Sequence, residues 1–325
     1  IYGTNGLPIE YKNVLVAALK GTKSVVVQEG VDIIAPRAFL YCNIKSIVLS
    51  DSVKKIDYCA FEDCDKLEYV KLGNGLSEIE ERAFLCCTNL RTIELPSRMR
   101  TIKEGAFIHT GLESVKLNEG LKVIEKAVFY DTQLNDIYIP ESVEKIGQMA
   151  FGINIKTIRF KKYFEDIMTG FVCISGTNDL NIKDGIIKLE CDDKAIYVPR
   201  YVRPDMYTKM NKRLSDYFNS KDSKSVEFWD CAHSVIGREN MAILEYETSS
   251  SRRAGSYLRR NARRVILRLL EEGDEKRAIK FLKFGFVPNS LLKNLVLNTN
   301  KQMTIQAYIL EQLKDNCDKR SVYSL

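Results

Sequence analysis

Residues 79–95 read IEERAFLCCTNLRTIEL, with two adjacent cysteines, Cys86 and Cys87, at the centre. Taken alone the pair could be metal ligands, half of a disulfide framework or a nucleophile. The surrounding chain gives another reading, because the same frame returns at 33–49 (IIAPRAFLYCNIKSIVL), 55–72, 101–117, 123–139 and 145–160. Its phenylalanines, Phe39, Phe61, Phe84, Phe107, Phe129 and Phe151, are 22, 23, 23, 22 and 22 residues apart. Around them four further columns stay apolar in all six copies. Ile34, Ile56, Ile79, Ile102, Ile124 and Ile146 stand five residues before the Phe, and Val31, Val53, Leu76, Met99, Leu121 and Val143 eight before. Ile47 and Leu49 begin the other two columns, which end at Ile158 and Phe160. A fixed period of this length marks a repeat array.

The spacing dictates the local structure. Alternation in VKL (70–72 and 115–117) and IEL (93–95) predicts a short strand with two residues inward and one outward. The RAF or GAF segment is too short for a full helix and predicts one helical or 3₁₀ turn with its Phe inward. Gly and Pro between copies (GNG at 73–75, PS at 96–97, PE at 140–141) mark turns. One copy buries about six apolar side chains, at roughly 1.5–3 kcal/mol each. Ordering its backbone costs roughly 1–2 kcal/mol per residue. A single copy therefore cannot fold, whereas stacked copies share a continuous core.

With A-F-x-x-C-x-x-L at 60–67 and 83–90 and close variants in the other copies, in one of which Val128 replaces the Ala, this stretch resembles the BspA-type leucine-rich repeat. The resemblance implies an α/β solenoid: a leucine-rich repeat array of parallel strands, about six rungs, with a C-terminal all-α domain in this chain. It also implies protein binding or, in secreted members, adhesion. The expected organisation is capping strands over 1–30, repeats over 31–160, an exit cap over 161–218 and a helical domain over 226–325. NSKDSKS (219–225), polar and without apolar anchors, forms the boundary. The tail, with Gly273 and Gly285 as C-terminal stops, resembles an ankyrin-like set of helical hairpins and the helical tails of some repeat proteins of anaerobic bacteria.

Cys42, Cys64 and Cys87 share one column, three residues after the Phe, which continues as Thr110, Thr132 and Asn154. Parallel columns hold side chains side by side without the converging vectors a disulfide needs. The histidines and CxxC pairs of a metal site are missing. The thiols are read as structural, with Cys86 partly exposed and no metal or cofactor implied. Nine cysteines, no CxxC and no Asn-x-Ser/Thr sequon favour a reducing, cytoplasmic setting; the alternative is secretion or the cell surface. No apolar run approaches the roughly 18 residues of a membrane span.

Two surfaces are candidate sites. The first is the outward column of the strands, with Tyr69, Lys71, Glu94, Lys116, Tyr138 and Arg159 as partner-binding candidates, because solenoids present such faces and Tyr and Arg favour interfaces. The second is an arginine cluster, Arg252, Arg253, Arg259, Arg260, Arg263, Arg264 and Arg268, with no acid from 248 to 270. One helix through it would stack Arg260, Arg264 and Arg268 at i, i+4, so Arg259, Arg260, Arg263 and Arg264 are anion-binding candidates. The bland alternative pairs them with Glu271, Glu272, Asp274 and Glu275. Nucleic acid is disfavoured because Tyr257 alone could stack on bases.

Neither His109 nor His233 sits in a catalytic pattern, and His233 is expected to pack near Trp229. No nucleophile elbow, Walker loop or dinucleotide fingerprint is present. The sequence thus points to a non-enzymatic interaction module recognising a protein, with an anionic ligand, membrane surface or nucleic acid at the arginine helix as the alternative.

Overall fold

The computed structural model describes residues 14–15, 22–172, 185–220, 226–298 and 302–322. The chain forms two compact units, Ile1–His233 and Ser234–Leu325. Much of the capping segment expected over 1–30 lies outside the described residues. Its described part supplies Val14–Leu15, parallel to Ile33–Ile34, and Ser24–Val26, parallel to Ser46–Val48.

Each rung of the first unit contributes two strands to parallel ladders. Two-residue strands, such as Ile33–Ile34, Lys55–Ile56 and Glu78–Ile79, join into a seven-stranded sheet in strict sequence order. The longer strands, Ser46–Val48, Tyr69–Lys71, Thr92–Glu94, Ser114–Lys116, Asp136–Ile139 and Thr157–Phe160, follow the same order in three ladder segments. The inward columns are buried as the apolar pattern requires, although Leu72 and Val115 remain half-exposed.

The Phe segments are not helical. They run as linked turns in which alternate N–H groups bond within the rung and to the next rung. Ala38 N–H donates to Ala35 O (3.2 Å) and Leu40 N–H to Arg37 O (3.1 Å), while Phe39 N–H donates to Ala60 O (2.8 Å). Phe61 repeats the step to Ala83 (2.7 Å), and Phe84 to Ala106 (2.8 Å). This geometry puts the residues two before and two after the Phe in the left-handed region, as at Arg82 (φ 55°) and Cys86 (φ 61°). A conformation costing about 1–3 kcal/mol per non-glycine residue is held by the inter-rung bonds it permits. A 3₁₀ turn would keep those N–H groups inside the rung, which is why the array overrides it.

The Phe row forms the spine. All six rings are at most 1% exposed. Phe39 to Phe129 stack nearly face to face, with successive centroids 4.9, 4.9, 5.2 and 5.6 Å apart. Behind them the buried Cys64 and Cys87 thiols donate to the carbonyls of Phe39 (2.9 Å) and Phe61 (3.2 Å). Further along, Thr110 and Thr132 donate to Phe107 O (2.9 Å) and Phe129 O (3.0 Å). The column therefore serves as a row of buried donors to carbonyls. None of the seven described cysteines is in a disulfide. Burial pushes the Cys59 thiol up to about 11 and the Cys64 thiol up to about 12.

After the last repeat the chain seals the open end. A short helix, α1 (Asp166–Thr169), leads into Gly170, whose backbone lies so close to Phe151 that an added Cβ would fall 2.5 Å from the ring. Met149 N–H and Phe151 N–H continue the turn ladder onto Thr169 O and Gly170 O, both at 3.0 Å. A hairpin, Ile186–Cys191 and Lys194–Pro199, then adds parallel to Thr157–Phe160. Arg200, 2% exposed, donates to the carbonyls of Gly152 (2.7 Å), Ile155 and Phe171 (3.3 Å). Helix α2 (Tyr207–Asn219) brings Phe218 against Phe160 (5.0 Å) and Tyr163 (5.4 Å), covering the last inward aromatic. These contacts satisfy the exposed rung that any open array leaves at its end.

The second unit is helical: α3 (Val235–Ser249), α4 (Arg252–Arg260), α5 (Ala262–Glu271), α6 (Glu275–Lys283), α7 (Asn289–Asn298) and α8 (Met303–Val322). Ser234, Ser251 and Asp274 cap α3, α4 and α6 by accepting from backbone N–H groups at 2.8, 3.0 and 3.0 Å. Gly273 and Gly285 follow α5 and α6 with φ of 68° and 69°. Leu258, Val265, Ile266, Leu269, Phe281 and Leu282 form its core. No helix among the described residues is long and apolar enough to cross a membrane.

Candidate functional site: the outward face of the strands

Parallel register places side chains of the same phase in straight rows, one per rung. Ser46 stands opposite Tyr69, and Val48 opposite Lys71. Glu94 faces Lys116, and Tyr138 faces Arg159, which in turn faces Glu190 of the hairpin. All six partner-binding candidates are on this one face and exposed. Tyr69 is 55% and Tyr138 37% exposed, three rungs apart, which at about 4.8 Å per strand separates them by roughly 15 Å. Val26, 62% exposed at the start of one row, joins them as an apolar contact that the sequence reading passed over.

The charges of the face are largely spent on one another. Lys116 pairs with Glu94, Arg159 with Asp136 and Lys188 with Glu190, each link joining neighbouring rungs or alternate residues of one strand. These exposed pairs contribute little stability, about 0–1 kcal/mol each. They do leave the middle of the face electrically quiet. Lys71 makes no hydrogen bond or ion pair among the described residues, and its charge acts on Asp51. Of the six candidates, three are charges already paired, one is a cation outside any ion pair and two are aromatic.

On the turn side, the column two residues after the Phe reads Asp63, Cys86, His109 and Asp131, and His109 Nδ1 lies 2.7 Å from Asp131 Oδ2. The Cys86 thiol is held above its ordinary range, first by burial and then by Asp63. Among the described residues no group of three or more such ligands can hold a metal ion. His233 is exposed, contrary to the packed position expected beside Trp229.

The arginine cluster differs from its sequence reading in two ways. The helix breaks at Asn261 (φ −111°, ψ 12°), so Arg259 and Arg260 end α4 while Arg263, Arg264 and Arg268 belong to α5. Its acid partner is also different. Glu239 of α3, fully buried, accepts from Arg264 Nε and Arg268 Nε at 2.7 Å each. Arg268 further pairs with Glu272 at 2.8 Å, the one acid of the expected set that engages it. Hydrogen bonding to Glu239 raises the Arg264 pKa further. Arg264 and Arg268 are therefore tied into the fold. Arg259 lies over the Phe286 ring at 4.9 Å, and Arg252, Arg253, Arg260 and Arg263 are exposed.

The repeats match the BspA type Leucine rich repeat region, in six copies over residues 32–157. Among solved structures, the T. pallidum Leucine Rich Repeat protein is 27% identical, with 47% of this chain and 66% of that one covered at a TM-score of 0.36. A leucine-rich repeat protein from Bacteroides capillosus is also 27% identical, covering 34% of this chain and 89% of that one at a TM-score of 0.30. A leucine rich cell surface protein from Faecalibacterium prausnitzii is 25% identical, covering 55% and 45% at a TM-score of 0.41. The chain thus spans just under two thirds of the first of these and under half of the third. No curated protein matches it. The cytoplasmic setting favoured from the thiols gains no support from these likenesses.

Proposed function

We propose, starting from residues 32–157 as a BspA-type leucine-rich repeat region, that this chain is a non-enzymatic module that binds a protein on its strand face. The observation that carries the reading is the exposure of Tyr69 and Tyr138 on two neighbouring rows whose other members are mostly small hydroxyls and mutually paired charges. Outward positions are free of packing duty, since the core lies wholly behind them. Large aromatics held in water there are suited to anchoring a partner. Lys71 adds a cation held in no ion pair among the described residues, its charge acting on Asp51. Adhesion is the form this binding takes if the chain works at a cell surface.

The test is capture of a partner by photo-cross-linking from residue 92, between the two tyrosines, followed by affinity measurement on variants. Tyr69→Ala with Tyr138→Ala is expected to weaken binding about tenfold or more, with an unchanged circular dichroism spectrum. Unaltered affinity would retire the reading. A second reading, an anionic ligand on the helical unit, is favoured by the exposed arginines of α4 and α5, which carry no acid in their first turns. It predicts steep salt dependence that Arg260→Ala with Arg263→Ala abolishes. Arg264 is left out of that test because it holds Glu239.

A further inference from the structure

We infer that the cleft beside the Asp192–Asp193 turn is the anchoring pocket of the strand face, and that it takes an extended peptide segment of a protein partner bearing one basic and one acidic side chain. The inference rests on the strand-face reading and gives it a location and a ligand chemistry. The cleft measures about 480 Å³, within the range of about 300–1,000 Å³ usual for specific ligand sites. It forms where the hairpin Ile186–Cys191 and Lys194–Pro199 is added to the last rung, so its turn stands beside the end of Thr157–Phe160. Tyr138 and Phe160 line it together with Lys161, Asp192 and Asp193.

What separates this cleft from the rest of the face is the state of its charges. Arg159 and Glu190 at its edge are committed to Asp136 and Lys188. Lys194 donates to the carbonyls of Tyr217 (2.9 Å) and Phe218 (3.3 Å) at the end of α2. The Lys161 ammonium, the Asp192 and Asp193 carboxylates and the Tyr138 hydroxyl have no hydrogen-bond or ion-pair partner among the described residues. Free charges of both signs therefore meet in one concave site with an aromatic wall. Charge-assisted hydrogen bonds to such groups are stronger than neutral ones. A polyanion would be repelled by Asp192 and Asp193, and a purely cationic ligand would leave Lys161 without a partner. A polypeptide meets the requirement, because it carries both charges a residue or two apart and can lie along the rows of the sheet.

The probe is the capped pentapeptide acetyl-Gly-Arg-Ala-Glu-Gly-amide, with two controls in which Gln replaces Arg or Glu, titrated into the whole chain at low salt and followed by backbone amide shifts. The doubly charged peptide is expected to move the amides of Lys161 and of residues 192–195 and to bind about tenfold more tightly than either control. Asp192→Asn with Asp193→Asn should erase the advantage of Arg, and Lys161→Gln that of Glu, with amide positions elsewhere unchanged. Equal titration by all three peptides, shifts away from the cleft, or variants that behave like the parent would overturn the inference. The titration uses no natural partner and so is separable from the capture experiment. Peptide binding alongside capture indifferent to Tyr69→Ala retires the strand-face reading alone. Capture lost on Tyr69→Ala without a peptide response retires the cleft alone.

Discussion

Phe84→Ala tests the stacked spine most directly. The Phe84 ring is fully buried, with the Phe61 centroid 4.9 Å away on one side and the Phe107 centroid 5.2 Å away on the other. Truncation removes a side chain whose loss from a core costs about 3–5 kcal/mol. It also breaks two aromatic contacts of about 0.5–1.5 kcal/mol each, part of which that range already contains. A cost of about 4 kcal/mol follows. With a urea slope of about 3 kcal/mol/M for a unit of this size, the midpoint should fall by roughly 1.3 M. The single tryptophan, Trp229, lies in the first unit and reports its unfolding separately from the helices. Because each rung touches only its neighbours, a break in the centre should also lower the slope, as the two halves begin to unfold independently. Tyr41→Ala, at a site 70% exposed, is the control and should move the midpoint by less than about 0.3 M. A Phe84→Ala shift no larger than that control would refute a load-carrying aromatic row.

Other outcomes can be checked in the same assays. Gly170→Ala puts a Cβ about 2.5 Å from the Phe151 ring and 2.7 Å from Ile146 Cγ2, so it should cost about 1–3 kcal/mol, read as a lower Trp229 midpoint. Glu239→Ala removes the buried acceptor of Arg264 and Arg268 and should destabilise the helical unit by about 3 kcal/mol, measured by helical ellipticity on heating. The thiols give a pH prediction. Cys59 and Cys64 hold their protons up to about 11 and 12 in the fold, against an ordinary value of 9.0, so the folded chain binds more protons than the unfolded one above pH 9. Their contribution is full below pH 9 and declines as pH rises towards those values, so urea midpoints should drop over that window and drop less in Cys59→Ala. At pH 8 both thiols should resist alkylation until urea is added, as quantified by mass spectrometry.

The repeat frame was readable because each column states its burial six times. One weak apolar preference is ambiguous, but six at constant offset are not, and the buried Ile34-to-Ile146 and Phe39-to-Phe151 rows follow from them. The backbone between Ile34 and Cys42 was less readable. Its left-handed residues are Arg37 and Tyr41, neither of which advertises positive φ as glycine would. Their conformation is imposed by N–H groups that reach the next rung, as Arg37 N–H does to Tyr58 O and Tyr41 N–H to Glu62 O, partners 21 residues away. The arginine cluster shows a similar limit. Its seven side chains are visible in the string, yet Glu239, which claims two of them, sits on α3 and looks like an ordinary surface acid.

The order of apolar and polar residues alone determined that this chain stacks rungs, which side chains face inward, and that a helical segment follows. Those properties are set by local periodicity and by the need of each rung for a neighbour, and both are written in every copy. Only the tertiary structure decided which outward charges cancel, where the helix breaks, and that a hairpin beyond the last repeat leaves Lys161, Asp192 and Asp193 facing one cleft. Such pairings join residues tens of positions apart through side-chain distances, and a distance across the fold has no period to read.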